Sequence, residues 1–428
     1  MNQNSEVPIE TYTAWIDARH PMVNRKLWGL TLLERNLREL ERLGCTRVVI
    51  LSTPGTDPLR HFCHPLPKTL SLTLETVAGD NPFTGLGRLL AEQAAPVVVL
   101  EGHALNDRRL LKILLTVHRD VAILPSTGIH PAGAARLSRA SLPLLTENRA
   151  TTVTELLKEG VAANRIESYN LNHFNPYLDN LRREVPPYLL KIENEAEFWE
   201  ADNILKQTVH KGVLELVAKY IHPPLEFGMV RLIDETEITP NQITIVWLIL
   251  AGLTVPLFLK GYLLLGIILA AISGVLDGVD GKLARLTLRY SKVGDRLDHV
   301  GGVIYDAIWY LALGWYFSGG EFHSTGAYFT YLLLVSYVFH RLIPGIFRAV
   351  HKREIYDFSK IDVFARLIGA RMNNNVWLFL LGVLLGYPRE AYYVICIWMA
   401  ITAVWFILRF IWVSIHAQVV EKKFQLSS

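Results

Sequence analysis

Two structural classes are predicted in one chain: an N-terminal α/β soluble half, and a C-terminal all-α half of six transmembrane helices. Three observations predict them. Long apolar runs gather in residues 241–415, and two of these runs, 242–259 and 391–408, hold no charged residue. Residues 1–240 are charged and mixed. Within residues 1–200, short strand-like runs alternate with helical patterns, which argues for a mostly parallel sheet with helices on both faces. At 428 residues, 51% of them hydrophobic, the chain is long enough for two or three domains. The boundaries read as 1–200 soluble, 201–240 connector, 241–415 membrane and 416–428 tail. A net charge of +3 gives no argument for a nucleic-acid partner.

In the soluble half, residues 47–52, 69–75, 96–101 and 121–125 read as strands, and 30–43, 85–93 and 106–117 as helices. Asn106 or Asp107 suits the N-cap of the last helix. Cys45, Cys63 and Cys396 have no metal-ligand spacing and read as thiols in a reducing compartment. The N-terminus lacks a basic region followed by an apolar one, so no signal peptide is expected and the soluble half stays cytosolic. His103 and His130 read as isolated surface histidines of loops.

The connector, Ala201–Tyr220, carries apolar residues near helical spacing beside Lys206, Lys211 and Lys219. It suits a helix lying along the membrane surface, or equally a helix docked between two domains, ended by Pro223-Pro224. Pro240 suits the first turn of the first membrane helix. The spans read as 242–259, 261–276, 300–318, 324–347, 374–387 and 391–413. The second is short against the roughly 20 residues a perpendicular helix needs, so the residues after Leu276 continue it. The loops on one side hold fourteen Lys and Arg, against Lys260 and Arg389 on the other. The positive-inside rule places the richer side, with both termini, in the cytosol of a cell (inner) membrane.

One stretch concentrates the chemistry: Asp277-Gly-Val-Asp280-Gly281-Lys282-Leu-Ala284-Arg285, then Gly294-Asp295-Arg-Leu-Asp298. Asp277 and Asp280 are i and i+3, on one helix face. With Asp298 on a facing helix, three carboxylates converge where the chain leaves lipid. Ionisable groups at that depth are costly and point to function. Oxygen ligands without a nearby cysteine suit Mg²⁺ or Mn²⁺ better than zinc.

These residues resemble the signature of the CDP-alcohol phosphotransferases, Asp-x2-Asp-Gly-x2-Ala-Arg-x8-Gly-x3-Asp-x3-Asp. Seven positions match, and the last is Gly302 instead of Asp. The resemblance implies a homodimeric membrane enzyme of phospholipid synthesis. It would transfer a phosphoalcohol group from a CDP-alcohol to an acceptor hydroxyl with release of CMP, using two metal ions on Asp277, Asp280 and Asp298. It also implies that Gly281 and Ala284 let the nucleotide approach, and that Arg285 meets a phosphate or orders the aspartates. Lys282, Arg289 and Lys292 would draw in an anionic headgroup or sit at the membrane surface. Arg341 and Arg348 would meet an acceptor phosphate or anchor at the interface. The family's general base is the missing Asp. Asp295 or Asp306 compensates, or metal-bound water or the substrate's phosphate takes the proton, or the chain binds nucleotide or lipid without turnover. Asp295, Asp298, position 302 and Asp306 can face one way on a helix, though Asp306 lies about 6 Å deeper than position 302. His299 is turned away.

Two details of the soluble half resemble sugar-nucleotide and inositol-phosphate nucleotidyltransferases: the helix beginning at Leu30, and the strand Val97–Leu100. The Gly-rich phosphate loop is missing, because residues 8–29 contain only Gly29. Glu101-Gly102-His103 stands where a metal-holding Asp is expected. The domain therefore reads as degenerate, kept for packing, dimerisation or regulation. An active cytidylyltransferase that makes the CDP-alcohol itself is the alternative.

Overall fold

The computed structural model describes residues 12–66, 69–77, 81–124, 132–147, 149–171, 174–178, 181–356 and 358–425. Among them a seven-stranded sheet organises the first part. Its strands are β1 (Tyr12–Asp17), β2 (Cys45–Ser52), β3 (Ser71–Thr76), β4 (Val97–Glu101), β5 (Val121–Ile123), β6 (Ala134–Leu137) and β7 (Glu167–Ser168). Their order is β7-β5-β6-β4-β1-β2-β3. β1 pairs in parallel with β2 and β4, and only β6 runs antiparallel to its neighbours β4 and β5.

Alternation along the strands sorts side chains to two faces. Ala14, Ile16, Val48, Ile50, Val98 and Leu100 pack against α1 (Leu32–Arg42) and α3 (Arg108–Thr116). Trp15, Val49, Leu51, Val97 and Val99 pack against α2 (Thr84–Glu92), α4 (Leu142–Glu147) and α5 (Val153–Ala162). The expected strands and helices are all present, their ends shifted by no more than two residues. Asp107 caps α3 by accepting from the Arg109 amide at 2.8 Å. The helix expected from Leu30 starts at Leu32, because Leu30–Thr31 pairs with Lys26–Leu27 in a hairpin. Its turn residues, Trp28 and Gly29, both have positive φ, 54° and 68°. The central strand β1 was not expected. Thr13 and Asp17 interrupt its apolar residues, and it lacks the β-branched density of Arg47–Ser52.

The connector forms two helices, α6 (Glu195–Val209) and α7 (His222–Ile233), with a π-helical turn at Val217–Ile221 before the second. Pro223-Pro224 does not end a helix. Both prolines sit in the first turn of α7, where an N–H is not needed. Of the two readings of the connector, α6 follows the docked one. Its Phe198, Ala201, Leu205 and Val209 pack with Leu27, Trp28 and Leu32 of the first half and with Val275, Val279 and Leu283 of the second. The two halves share one hydrophobic core.

The second half comprises α8 (Pro240–Leu259), α9 (Leu263–Leu286), α10 (Lys292–Ser318), α11 (Thr325–His351), α12 (Lys360–Ile368), α13 (Met372–Leu384) and α14 (Pro388–Gln425). Among the described residues α8, α9, α11 and α14 are long and apolar enough to cross a bilayer, and α12–α13, bent by 40°, makes a fifth span if counted as one. Six expected spans are therefore not reproduced. α10 contains the expected span 300–318, but Gly301, Gly302, Asp306 and its tyrosines and tryptophans leave it less apolar. The chain is nonetheless a multi-pass membrane protein. α8 shows how a span divides its surface: Thr244, Trp247, Ala251, Thr254 and Phe258 are buried at helical spacing, while Ile245, Val246, Ile249 and Leu253 face outward.

Candidate active site: an acidic cavity between the second and third long helices

The acidic stretch is helical, as its position after an apolar run predicts. α9 carries Asp277, Asp280, Gly281, Ala284 and Arg285, and α10 brings Asp298, Gly302 and Asp306 opposite them. All eight line one cavity of about 510 Å³. The Asp277 and Asp298 carboxyls lie within hydrogen-bonding reach of each other, with Asp280 beside them. Asp280 is buried, and its Oδ2 accepts from Thr244 Oγ1 at 2.5 Å and from Trp247 Nε1 at 3.2 Å. These bonds fix the carboxylate plane beside the cavity. Neither Thr244 nor Trp247 was foreseen. They belong to α8, outside the linear motif, and only the burial of one helical stripe of α8 hints at them.

Glycines set how closely the helices approach. A Cβ at Gly294 would lie 2.2 Å from Asn241 Oδ1, so this residue lets the start of α10 approach the start of α8. A Cβ at Gly278 would lie 1.7 Å from Glu226 Oε1 of α7. At Gly302 a Cβ would meet nothing within 4 Å. The position where the signature expects an aspartate is open space on the cavity wall.

The expected cations divide. The Arg285 guanidinium folds back over Gly281, Nη2 standing 3.0 Å from where a Cβ would be, and its buried Nε has no hydrogen-bond partner. Arg289 lines the cavity but bonds to Thr287 Oγ1 at 3.1 Å and reaches the Thr236 carbonyl. Lys282 is not a free headgroup cation. It is buried and ion-paired with Glu226, because α7 covers that side of α9. Arg341 pairs with Asp306, so the residues expected to serve as acceptor contact and substitute base engage each other. Arg348 bonds to Glu354 at 3.1 Å and does not line the cavity. The side chains of Asp295, Lys292 and His299 lie outside the described residues, as does His130.

A second group of cations lines the same cavity: Arg366 and Arg371, read from the sequence only as cytosolic loop charge, and Lys211, read as part of the basic side of the connector. Arg366 is 5% exposed, sits 3.4 Å from Glu215 Oε2, and has no hydrogen-bond partner at Nε or Nη1. Burial pushes the Glu215 carboxyl up, but Arg366 and Arg371 outweigh it and hold the group down at about 2.

The helices long and apolar enough to cross a bilayer thus surround a cavity lined by both carboxylates and guanidinium groups. Residues 237–407 match the family model of the CDP-alcohol phosphatidyltransferases. The chain is 33% identical over 110 residues to the "Bifunctional IPC transferase and DIPP synthase" of Thermococcus kodakarensis, covering 26% of this chain and 25% of that protein. It is 33% identical over 73 residues to "Inner membrane protein YnjF" of Escherichia coli, covering 16% of this chain and 35% of that protein. The chain thus spans about a quarter and about a third of the lengths of these curated relatives. Among solved structures it is similar to Mycobacterium tuberculosis phosphatidylinositol phosphate synthase with CDP-DAG bound, at TM-score 0.33 and 18% identity over 44% of this chain and 93% of that one. It is also similar to the inositol-1-phosphate CTP transferase from T. maritima, at TM-score 0.33 and 11% identity over 45% of this chain and 95% of that one.

Proposed function

We propose that the chain transfers a phosphoalcohol group from a CDP-alcohol to an acceptor hydroxyl and releases CMP, in phospholipid or phosphodiester synthesis at the cytosolic face of the cell membrane. One observation carries the reading. Asp277, Asp280 and Asp298 share one side of the cavity, and among the described residues no Lys or Arg forms an ion pair with Asp277 or Asp280. Carboxylates held that close repel unless a proton or a cation lies between them, and an all-oxygen set fits Mg²⁺ or Mn²⁺. When bound, such ions would neutralise the pyrophosphate of the donor.

The remaining steps fall to the chain's own residues. Gly281 and Ala284 keep the α9 wall low for the nucleotide, and Arg285 supplies donors to its phosphate. The acceptor oxygen forms a bond to the phosphorus that carries the alcohol, and the bond from that phosphorus to CMP breaks. Asp298, one turn before Gly302, takes the hydroxyl proton. Asp306 is engaged by Arg341 and serves instead to hold that guanidinium. Arg341, Arg366 and Arg371 favour an acceptor that itself bears a phosphate. The soluble half is a packing domain, and the functional unit a homodimer. The test is CMP release by purified, reconstituted chain over a panel of CDP-alcohols and phosphorylated acceptors with Mg²⁺ or Mn²⁺. Release that Asp280→Asn abolishes supports the reading, and no release from any donor refutes it.

Gly302 favours a second reading, a relative that binds nucleotide or lipid without turnover. In that case nucleotide binds, no CMP appears, and Asp298→Asn has no turnover to remove. An active cytidylyltransferase in residues 1–200 would require CTP consumption with pyrophosphate release.

A further inference from the structure

We propose that His20, His103 and Glu193, in the soluble half and apart from the acidic cavity, form a binding site for one divalent transition-metal ion of the zinc class, which ties the sheet's carboxyl edge to the start of α6. One ligand atom from each of the three residues lies within 4.8 Å of the others. Each follows closely on the end of a strand: His20 after β1, His103 after β4, and Glu193 after the short strand Leu189–Lys191. The carboxyl ends of the central parallel strands are where open α/β sheets gather ligands. The Ile192 amide bonds to the His103 carbonyl at 3.2 Å, which fixes the Glu193 segment to the His103 turn. Two residues on from Glu193, α6 begins and carries the shared core down to α9.

The independent sign of a ligand is His103 itself. It is 6% exposed, yet neither ring nitrogen has a hydrogen-bond partner, and Nε2 stands 3.9 Å from Glu193 Oε1. A buried polar group in that condition is costly unless something satisfies it. Burial holds both imidazoles below the usual histidine range. Two imidazoles and a carboxylate suit zinc-like ions over magnesium. Three such ligands leave a fourth position for water or a small ligand.

Closure requires movement that the surroundings permit. Tetrahedral ligands on zinc stand roughly 3.4 Å apart, so the three side chains draw together. The two rings, now stacked with centroids 4.3 Å apart, turn about χ2, where histidine wells are broad. His20 Nδ1 gives up a long 3.3 Å bond from the Met22 amide. Lys191, now 2.7 Å from Glu193, has Glu101 3.8 Å away as a second carboxylate partner when Glu193 turns to the ion.

The experiment uses the full chain in nanodiscs, stripped with chelator and titrated with Co²⁺, with visible ligand-field absorption as the readout and Zn²⁺ as competitor. An intense tetrahedral-type band, displaced by Zn²⁺, is expected in the native chain and in the Asp277→Asn, Asp280→Asn double variant. Both His103→Gln and His20→Gln should weaken the binding that produces it by at least about 100-fold, the upper range for losing even an outer partner of a metal site. No band, a band unchanged in the histidine variants, or a band lost only in the aspartate variant overturns the proposal. If His103→Gln fails to fold by circular dichroism, the half-buried His20→Gln decides alone. CMP release in Mg²⁺ is read separately, so failure of the transferase assignment leaves this test intact.

Discussion

Substituting Gly302→Asp restores the carboxylate that the signature places there, and the structure sets the terms. The new Cβ meets no atom within 4 Å, so the side chain enters without displacing a neighbour. Helix propensity favours Asp over Gly by a few tenths of a kcal/mol, offset by a like-charge i, i+4 contact with Asp298 of similar size. Stability should therefore barely change. A positioned general base contributes roughly 10²–10⁴-fold. With Asp298 one turn away already taking the proton, the lower end applies, and kcat for CMP release should rise by about 10²-fold. Gly302→Asn fills the same space without a base and should stay near the native rate. The assay is CMP formation under saturating donor, acceptor and Mn²⁺, with the Asp and Asn variants side by side. Equal rates for the two would show that the proton already has an adequate destination, and the assignment of position 302 as the weakened element would fall.

Thr244→Val removes the 2.5 Å bond that fixes Asp280. It should raise the half-saturating Mn²⁺ concentration by about 10–100-fold, as read from activity against metal concentration. Lys282→Met leaves Glu226 buried and unpaired and should cost about 3–5 kcal/mol, measured by denaturation in detergent, with most of it restored by adding Glu226→Leu. Arg35→Ala removes the guanidinium that donates to the Leu27 and Leu286 carbonyls at 2.8 Å each. It should destabilise the chain by about 1.5–3 kcal/mol and speed proteolysis between the halves. Glu215 is held down at about 2 in the folded chain, below the roughly 4.3 of a free glutamate. Its stabilising contribution is present above pH about 4.3 and is lost as pH falls towards 2, so Glu215→Gln should flatten the melting-temperature profile across that window.

The parts that could be read from the sequence were those written in short range. Asp277, Asp280 and Asp298 emerged because i, i+3 spacing and the fixed spacer place them on facing helices whatever else the chain does. The strands around Val48 and Val98 declared themselves through dense β-branched residues. What escaped depended on partners distant in sequence. Thr244 and Trp247 touch Asp280 across more than thirty residues, and Arg366 and Arg371 looked like ordinary topogenic charge until α12 folded under the bundle. Lys282 was misjudged because nothing near it in sequence announces Glu226. His103 reads as a loop histidine until the strand beginning at Leu189 closes over it. Pro223-Pro224 carries the same ambiguity, since a proline pair ends one helix or begins another with equal ease.

The Trp28–Gly29 turn ties the two halves together. A left-handed tryptophan survives there because its ring is wedged among Phe227, Arg231 and Lys206, while a Cβ on Gly29 would stand 2.1 Å from the Asp234 carbonyl. The loop works like a key cut for one lock: α7 and the helix bearing Asp277 close on it from the membrane side. Whatever withdraws that key would loosen the packing of the acidic helix, whose Val275, Val279 and Leu283 share a core with Trp28. A change in the soluble half would then be felt at the acidic cavity.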